Sequence, residues 1–427
     1  MAPSGEAVEF GAFLLLGMGS QWIVNDALFQ NMDIFTSVLP EGLQLPNTAG
    51  SLSGAIGTVV VLVLWAVVCA GGLSEAKYTT GSWILISVSP IAAFVAAVAW
   101  RALIGRTSIV VWVSLFLSSS VGQASYFIQM PMLAQYFSET ALSATLTGSG
   151  VGSMTAGGLG LVQAASAAFG PTPFMLIITA VCTLSTASWA FILSRGLGRP
   201  RTTGSASKIL PPAQPSLCCF FHEEEGRKSR ESSPLVLSAE PRLFVPQLLA
   251  CLAMGSLINI TTWGLTFLQF ATSSASCSCD PSDRVAQETY DLATALSYVA
   301  MPLGGLLSYL VPLYDIRVLS ALVVVHTLFY LLQTLAVANV GFMSCSAGAR
   351  FCVILSNIFL RGIFQYATAM QYRVINRLFE DAPTTRSRAS ALYGTLTSWA
   401  TVLMSFLAYG LVTSHAVSCT VSAHAFN

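Results

Sequence analysis

The stretch Gly11–Asn31, GAFLLLGMGSQWIVNDALFQN, decides the fold. It carries a single charge, Asp26, and its first half is apolar or small. A helix needs about 20 mostly apolar residues to cross the hydrocarbon core of a bilayer. This run meets that requirement. Its polar residues are Gln21, Trp22, Asn25, Asp26, Gln30 and Asn31, all in the second half. Polar groups at that depth are costly in lipid, so they are expected to face another helix or a cavity.

The same pattern recurs along the chain. Charged residues make up 9% of the sequence, against roughly 25% in soluble proteins. So few charges cannot supply the surface of a soluble protein of 427 residues. Spans are expected near 9–30, 50–73, 82–104, 108–130, 141–169, 172–194, 244–271, 286–311, 317–340, 350–376 and 390–413. The expected class is all-α: a polytopic membrane protein of about eleven helices. No segment alternates long enough for a membrane barrel. Met1–Phe10 holds Glu6 and Glu9 but no Lys or Arg, so the opening run is read as a retained helix and not a cleavable signal. Neither end shows a lipidation motif.

Composition changes over Arg195–Arg242, which contains Pro211-Pro212, Glu223-Glu224-Glu225 and eight of the nineteen Lys and Arg residues. It reads as a polar, largely disordered loop. Cys218-Cys219-Phe220-Phe221 within it is able to touch a membrane. The expected organisation is a six-helix bundle over 1–194, this loop over 195–242 and a five-helix bundle over 243–427. With the loop in the cytoplasm and alternating helices, fourteen basic residues fall inside. Four fall outside: Arg101, Arg106, Arg284 and Arg350. That bias puts the N-terminus in the cytoplasm and the C-terminus outside. Arg101 and Arg106 run against it.

The first helix of each half carries one tripeptide. Met18-Gly19-Ser20 precedes Asn25, and Met254-Gly255-Ser256 precedes Asn259. Corresponding helices point to a transporter built of repeats with a site at their interface. Coincidence among small and apolar residues is the competing reading.

Signatures of enzymes are absent. His222, His326, His415 and His424 are scattered, in no metal-ligand spacing with Cys, Asp or Glu. There is no phosphate loop. We therefore expect no catalytic residues, no metal and no cofactor, and zero net charge gives no case for nucleic acid. What remains is amides, hydroxyls and rings at membrane depth. Gln123, Tyr126 and Gln129 share a helix face. Asn259, Thr261, Thr262, Trp263 and Gln269 mark the seventh span, and Arg361, Gln365, Tyr366, Thr368 and Gln371 the tenth. This set suits a neutral, flat solute with many hydrogen-bonding groups, although intramembrane amides also join helices. Asp291, His326 and Arg361 are the ionisable exceptions, His326 being the candidate for a pH response or for an interhelical hydrogen bond. Gly148, Gly150, Gly152, Gly157, Gly158 and Gly160 crowd the fifth span, fitting helices that slide or pack closely. Cys277, Cys279, Cys345 and Cys419 fall outside, where oxidation is allowed. The expected disulfide joins Cys277 or Cys279 to Cys419, with free thiols as the alternative.

Gly17-Met18-Gly19-Ser20, then Trp22 and Asn25, then Leu39-Pro40-Glu41-Gly42 and Leu45-Pro46 follow one another in an order that resembles the opening of the eukaryotic riboflavin transporter family. Further echoes are Gly148-Ser149-Gly150, Leu161-Val162-Gln163, Asn259 through Gly264, Tyr290, Pro302-Leu303 and Gly362-Ile363-Phe364-Gln365-Tyr366. Departures accompany them. Asp26 stands where the family has Gly, Trp263 where it has a second Asn, and the family's Glu-Leu-Pro becomes Gln30-Asn31-Met32 or Asn31-Met32-Asp33. The resemblance implies a plasma-membrane carrier for riboflavin, working by alternating access without ATP. The ring would stack on Trp22, Tyr126, Trp263 or Tyr366. Asn25, Gln30, Asn31, Asn259 and Gln365 would hydrogen-bond the ring edge and the sugar-alcohol hydroxyls. An equilibrative nucleoside carrier, also of eleven helices with a long loop after the sixth, is the nearest rival. A non-transporting membrane receptor is the rival of another class.

Overall fold

A computed structural model describes residues 5–41, 45, 55–57, 59–60, 62–63, 74–166, 169–198, 245–264, 284–337 and 347–413. Regular structure among them is helical, apart from one isolated bridge between Ile104 and Thr107. Backbone groups in lipid have no water to bond, so a helix, which satisfies them internally, is the form these apolar runs take. The order is α1 (Gly5–Ser20), α2 (Ile23–Gln30), α3 (Met32–Val38), α4 (Glu75–Ala99), α5 (Ile109–Phe127), α6 (Gln129–Tyr136), α7 (Glu139–Ser166) and α8 (Pro171–Arg195). Then come α9 (Pro246–Asn259), a π-helical turn (Ile260–Gly264), α10 (Arg284–Leu310), α11 (Ile316–Val337), α12 (Ala347–Leu378) and α13 (Pro383–Thr413). Five described helices are long and apolar enough to cross a membrane, or six if the bent pair α1–α2 is one span.

A helix occupies the expected positions where they are described; 50–73 is described only at 55–57, 59–60 and 62–63, all helical, while most of the loop over 195–242 and Cys277, Cys279 and Cys419 of the expected disulfide lie outside the described residues. Three boundaries are corrected. The first span, expected as continuous over 9–30, starts at Gly5 and breaks at Gln21-Trp22 with a 48° bend. The Ser20 hydroxyl and the Gln21 amide both donate to Gln129 Oε1, at 3.3 and 3.4 Å, tying the break to α6. The fourth span, expected over 108–130, is interrupted at Ile128 and resumes as α6 to Tyr136. The third, expected over 82–104, runs instead from Glu75 to Ala99. Ser74 caps its start, accepting from Lys77 N at 3.4 Å, and the turn through Arg101–Thr107 follows its end.

Small residues set the packing. A Cβ on Gly17 would lie 2.0 Å from the Thr145 carbonyl oxygen, one on Gly148 2.0 Å from that of Leu14, and one on Gly152 2.2 Å from that of Met18. Thus α1 and α7 touch backbone to backbone, and only glycine permits it. On α4 the inward face is Ala92, Ala93, Ala96 and Ala97, all fully buried, while Ile84, Ile91, Phe94 and Val98 point outward. Large apolar side chains outside and alanine inside is the arrangement lipid favours, because lipid tails solvate the former and close approach needs the latter. Helix α8 ends on Gly196 at φ +60°, the left-handed cap that glycine adopts without strain.

Candidate functional site

The ends of α1 and α9 approach one another through two aromatic side chains. Both helices are interrupted there, α1 by its bend at Gln21-Trp22 and α9 by the π turn at Ile260–Gly264. Each interruption presents an indole. Trp22 and Trp263 face one another with centroids 6.2 Å apart and planes 18° from parallel. Both are half-buried. Trp22 is held from behind by α5, where a Cβ on Gly122 would come 2.7 Å from the indole. Phe364 of α12 meets Trp263 edge-on at 5.8 Å. The Arg361 guanidinium, 2% exposed, lies 4.0 Å from the Trp263 ring centre, a cation–π contact with a buried cation.

Polar groups stand around this aromatic pair. Asp26, one turn beyond Trp22, accepts the Ser153 hydroxyl of α7 on Oδ2 at 2.6 Å. Tyr298 of α10 and Arg361 of α12 face the same carboxylate. Tyr126, half-buried, meets the Trp22 indole and packs against Gly394 of α13. Gln30 lies against α7, where a Cβ on Gly160 would come 2.4 Å from its amide. Among the described residues, Gln30 Oε1, Gln123 Oε1, Thr368 Oγ1 and Gln371 Nε2 are buried without a hydrogen-bond partner. Buried polar groups are nearly always satisfied, so each of these atoms is open to a further partner.

Several other residues singled out in the sequence have partners within the protein, while Gln269 and the side chain of Asp291 lie outside what is described. Asn25 Oδ1 accepts from the Ser119 and Ser118 hydroxyls of α5, at 3.2 and 3.5 Å. Asn31 is fully buried, donating to the Ala27 carbonyl at 2.8 Å and accepting from Gln163 at 3.0 Å. Asn259 donates to the Gly255 carbonyl of its own helix at 2.8 Å. Gln365 donates to the Leu146 carbonyl at 3.0 Å, joining α12 to α7. Tyr366 sits away from the indoles, its hydroxyl donating to the Val311 carbonyl at 2.7 Å. His326 is fully buried, with Nδ1 3.2 Å from the Thr261 hydroxyl and Nε2 3.1 Å from that of Thr262. Asp26, Arg361 and Phe364 were not among the expected contact residues. For the first two, charge at membrane depth was the available signal.

Arg373 of α12 donates to the Ser308 carbonyl of α10 at 3.0 Å and to the Ser143 hydroxyl of α7 at 2.6 Å. Phe10 meets Tyr309 with ring centroids 6.2 Å apart.

This geometry has counterparts. The nucleoside transporter NupG, in a mutant form, superposes with a TM-score of 0.53 at 13% identity, covering 97% of this chain and 94% of that one. A bacterial homologue of the iron transporter ferroportin, outward-facing with soaked iron, superposes with a TM-score of 0.55 at 14% identity, covering 96% and 92%. At such identities the likeness concerns the fold alone, which is that of membrane transporters. No curated protein sequence matches this chain. The sequence model described as solute carrier family 52, riboflavin transporter, matches residues 162–414, more than half of the chain. It takes in Trp263, Arg361 and Phe364 and begins after Trp22 and Asp26. The chain belongs to solute carrier family 52, the riboflavin transporters.

Proposed function

We propose that this family member carries riboflavin across the plasma membrane between the two indoles, Trp22 and Trp263, by alternating access without ATP. The observation that carries the reading is the near-parallel pair itself, one ring from the interruption that follows α1 and one from that which follows α9, 18° from parallel. A flat tricyclic ring is the kind of solute two such faces grip. With centroids 6.2 Å apart, the rings leave no room for a third between them, because two van der Waals contacts need roughly 7 Å between planes, so the groups must part to admit one. Substrate entry and relative movement of the groups are thereby linked.

In this reading eleven helices divide six and five about the basic loop. That loop, the N-terminus and the Arg373 contacts lie in the cytoplasm, and the C-terminus lies outside. Release inward then requires the Arg373–Ser143 and Gln365–Leu146 bonds to break, which is the expected cost of rocking one group against the other. Gln30, Gln123, Thr368 and Gln371, with unpaired buried atoms, would bond the ring edge and the hydroxyl chain. Asn25, Asn31, Asn259 and Gln365 would join them by exchanging the partners they hold in this state. Uptake of labelled riboflavin by cells expressing the protein, normalised to its amount at the surface, tests the proposal. It should exceed the control, be competed by flavins and ignore nucleosides. Normal surface expression without flavin uptake would overturn it, and competition by nucleosides alone would assign the chain to the rival class.

A further inference from the structure

We propose that Asp26 selects the flavin by accepting the imide N–H of its pyrimidine-dione edge, an inference that rests on the proposed riboflavin site. Asp26 is 1% exposed. Its Oδ2 is occupied by Ser153, and its Oδ1 has no partner of full hydrogen-bond geometry among the described residues, the Tyr298 hydroxyl facing the carboxylate. An unsatisfied buried carboxylate oxygen is expensive, more so than a neutral acceptor. Its position says what would satisfy it. Asp26 N donates to the Trp22 carbonyl at 2.9 Å, so the two side chains stand one helical turn apart on the same face of α2. A ring stacked on Trp22 therefore presents an edge, and not a face, to the carboxylate.

The chemistry of that edge is restrictive. The flavin ring system has one N–H, the imide, flanked by two carbonyls, and its other ring heteroatoms only accept. The edge thus reads acceptor, donor, acceptor. The protein offers the complement: Asp26 as acceptor, with the Arg361 guanidinium and the Tyr298 hydroxyl, both donors, facing the same carboxylate from the C-terminal group. A hydroxyl of the sugar-alcohol chain needs no such flanking, because it donates and accepts at once. Since Asp26 comes from one group and Arg361 and Tyr298 from the other, the edge would be read only when both groups close on the ring.

Flavin methylated at the imide nitrogen separates the readings. Affinities are taken from quenching of flavin emission on titration with the full-length purified protein in nanodiscs. The native protein should bind riboflavin roughly 10- to 100-fold more tightly than N3-methylriboflavin, the range for a hydrogen bond to a charged group. D26A should bind the two within about twofold of one another, whereas D26N, which keeps an acceptor oxygen, should retain part of the preference. The comparison on the native protein does not depend on whether D26A folds. Equal affinity of the native protein for both flavins, or an undiminished preference in D26A, would overturn the assignment to Asp26 while leaving riboflavin carriage intact. Absence of any flavin binding to the native protein would overturn both.

Discussion

Met18-Gly19-Ser20 ends α1 and Met254-Gly255-Ser256 lies in the second half of α9, and the structure makes different use of them. In the first, a Cβ on Gly19 would lie 2.7 Å from the Cα of Cys182, so α1 rests on the backbone of α8. In the second, a Cβ on Gly255 would lie 2.4 Å from the ring of Tyr393, so α9 rests on a side chain of α13. Beyond each tripeptide the helix is interrupted and an indole emerges. Around Trp22 the polar atoms are open: Asp26 Oδ1 and Gln30 Oε1 lack partners of full hydrogen-bond geometry among the described residues. Behind Trp263 they are closed, because Thr261 and Thr262 bond both nitrogens of His326, and Tyr330 donates to the Thr262 carbonyl at 3.0 Å. The difference teaches that matched segments need not have matched duties. In the proposed site, one would read the solute's polar edge and the other would be a braced platform offering a flat face.

The largest effect should come from steric changes in the tripeptides. Gly19→Val meets backbone that cannot yield and should cost about 3 kcal/mol or more, enough to abolish a monodisperse folded peak in size-exclusion chromatography. Gly255→Ala meets a side chain rather than backbone, so its melting temperature should fall less than that of Gly19→Ala. Next in size are the indoles. Trp22→Ala and Trp263→Ala should each weaken riboflavin binding by about 1–3 kcal/mol, read by titration, with Phe at either site restoring most of it. His326→Ala should act on stability alone. Losing its bonds to Thr261 and Thr262 should cost about 1–3 kcal/mol while flavin affinity stays within roughly threefold. A fall in affinity larger than the stability change explains would show that the platform, too, reads the solute.

The smallest effect lies outside the membrane, at Glu41. Its partial burial raises the carboxyl's proton affinity, but donors from the start of α5 outweigh this: the Ser108 N–H at 2.6 Å, its hydroxyl at 2.7 Å and the Trp112 indole at 3.2 Å. The carboxyl is held below its ordinary value of 4.5. A depressed carboxylate contributes stability above that value and loses it as the pH falls through the lower folded value. The melting temperature should therefore decline below pH 4.5 more steeply in the native protein than in Glu41→Gln.

Most helices were legible because a charge-free apolar run of sufficient length has few other fates. Their ends and interruptions were less so. The last helix begins at Pro383, earlier than the expected 390, because its basic turn with Arg386 and Arg388 continues the helix past any apolar pattern. The break at Gln21-Trp22 and the π turn at Ile260–Gly264 contain no proline. Side chains from distant segments, Gln129 and His326, bond at these interruptions. Within the site, Trp22 and Trp263 could be named from their polar surroundings, but not their stacking, which depends on how two helices 240 residues apart meet. Asp26 was visible as a charge at membrane depth. Only the fold separates its occupied oxygen from its open one.

The central claim is that riboflavin lies between Trp22 and Trp263, and flavin emission tests it most directly, since a flavin stacked on indole is quenched. Binding to the native protein should quench riboflavin emission strongly. In the Trp22→Phe, Trp263→Phe double variant, riboflavin should still bind but keep most of its emission. Binding without quenching in the native protein, or equal quenching after both indoles are replaced, would contradict the account.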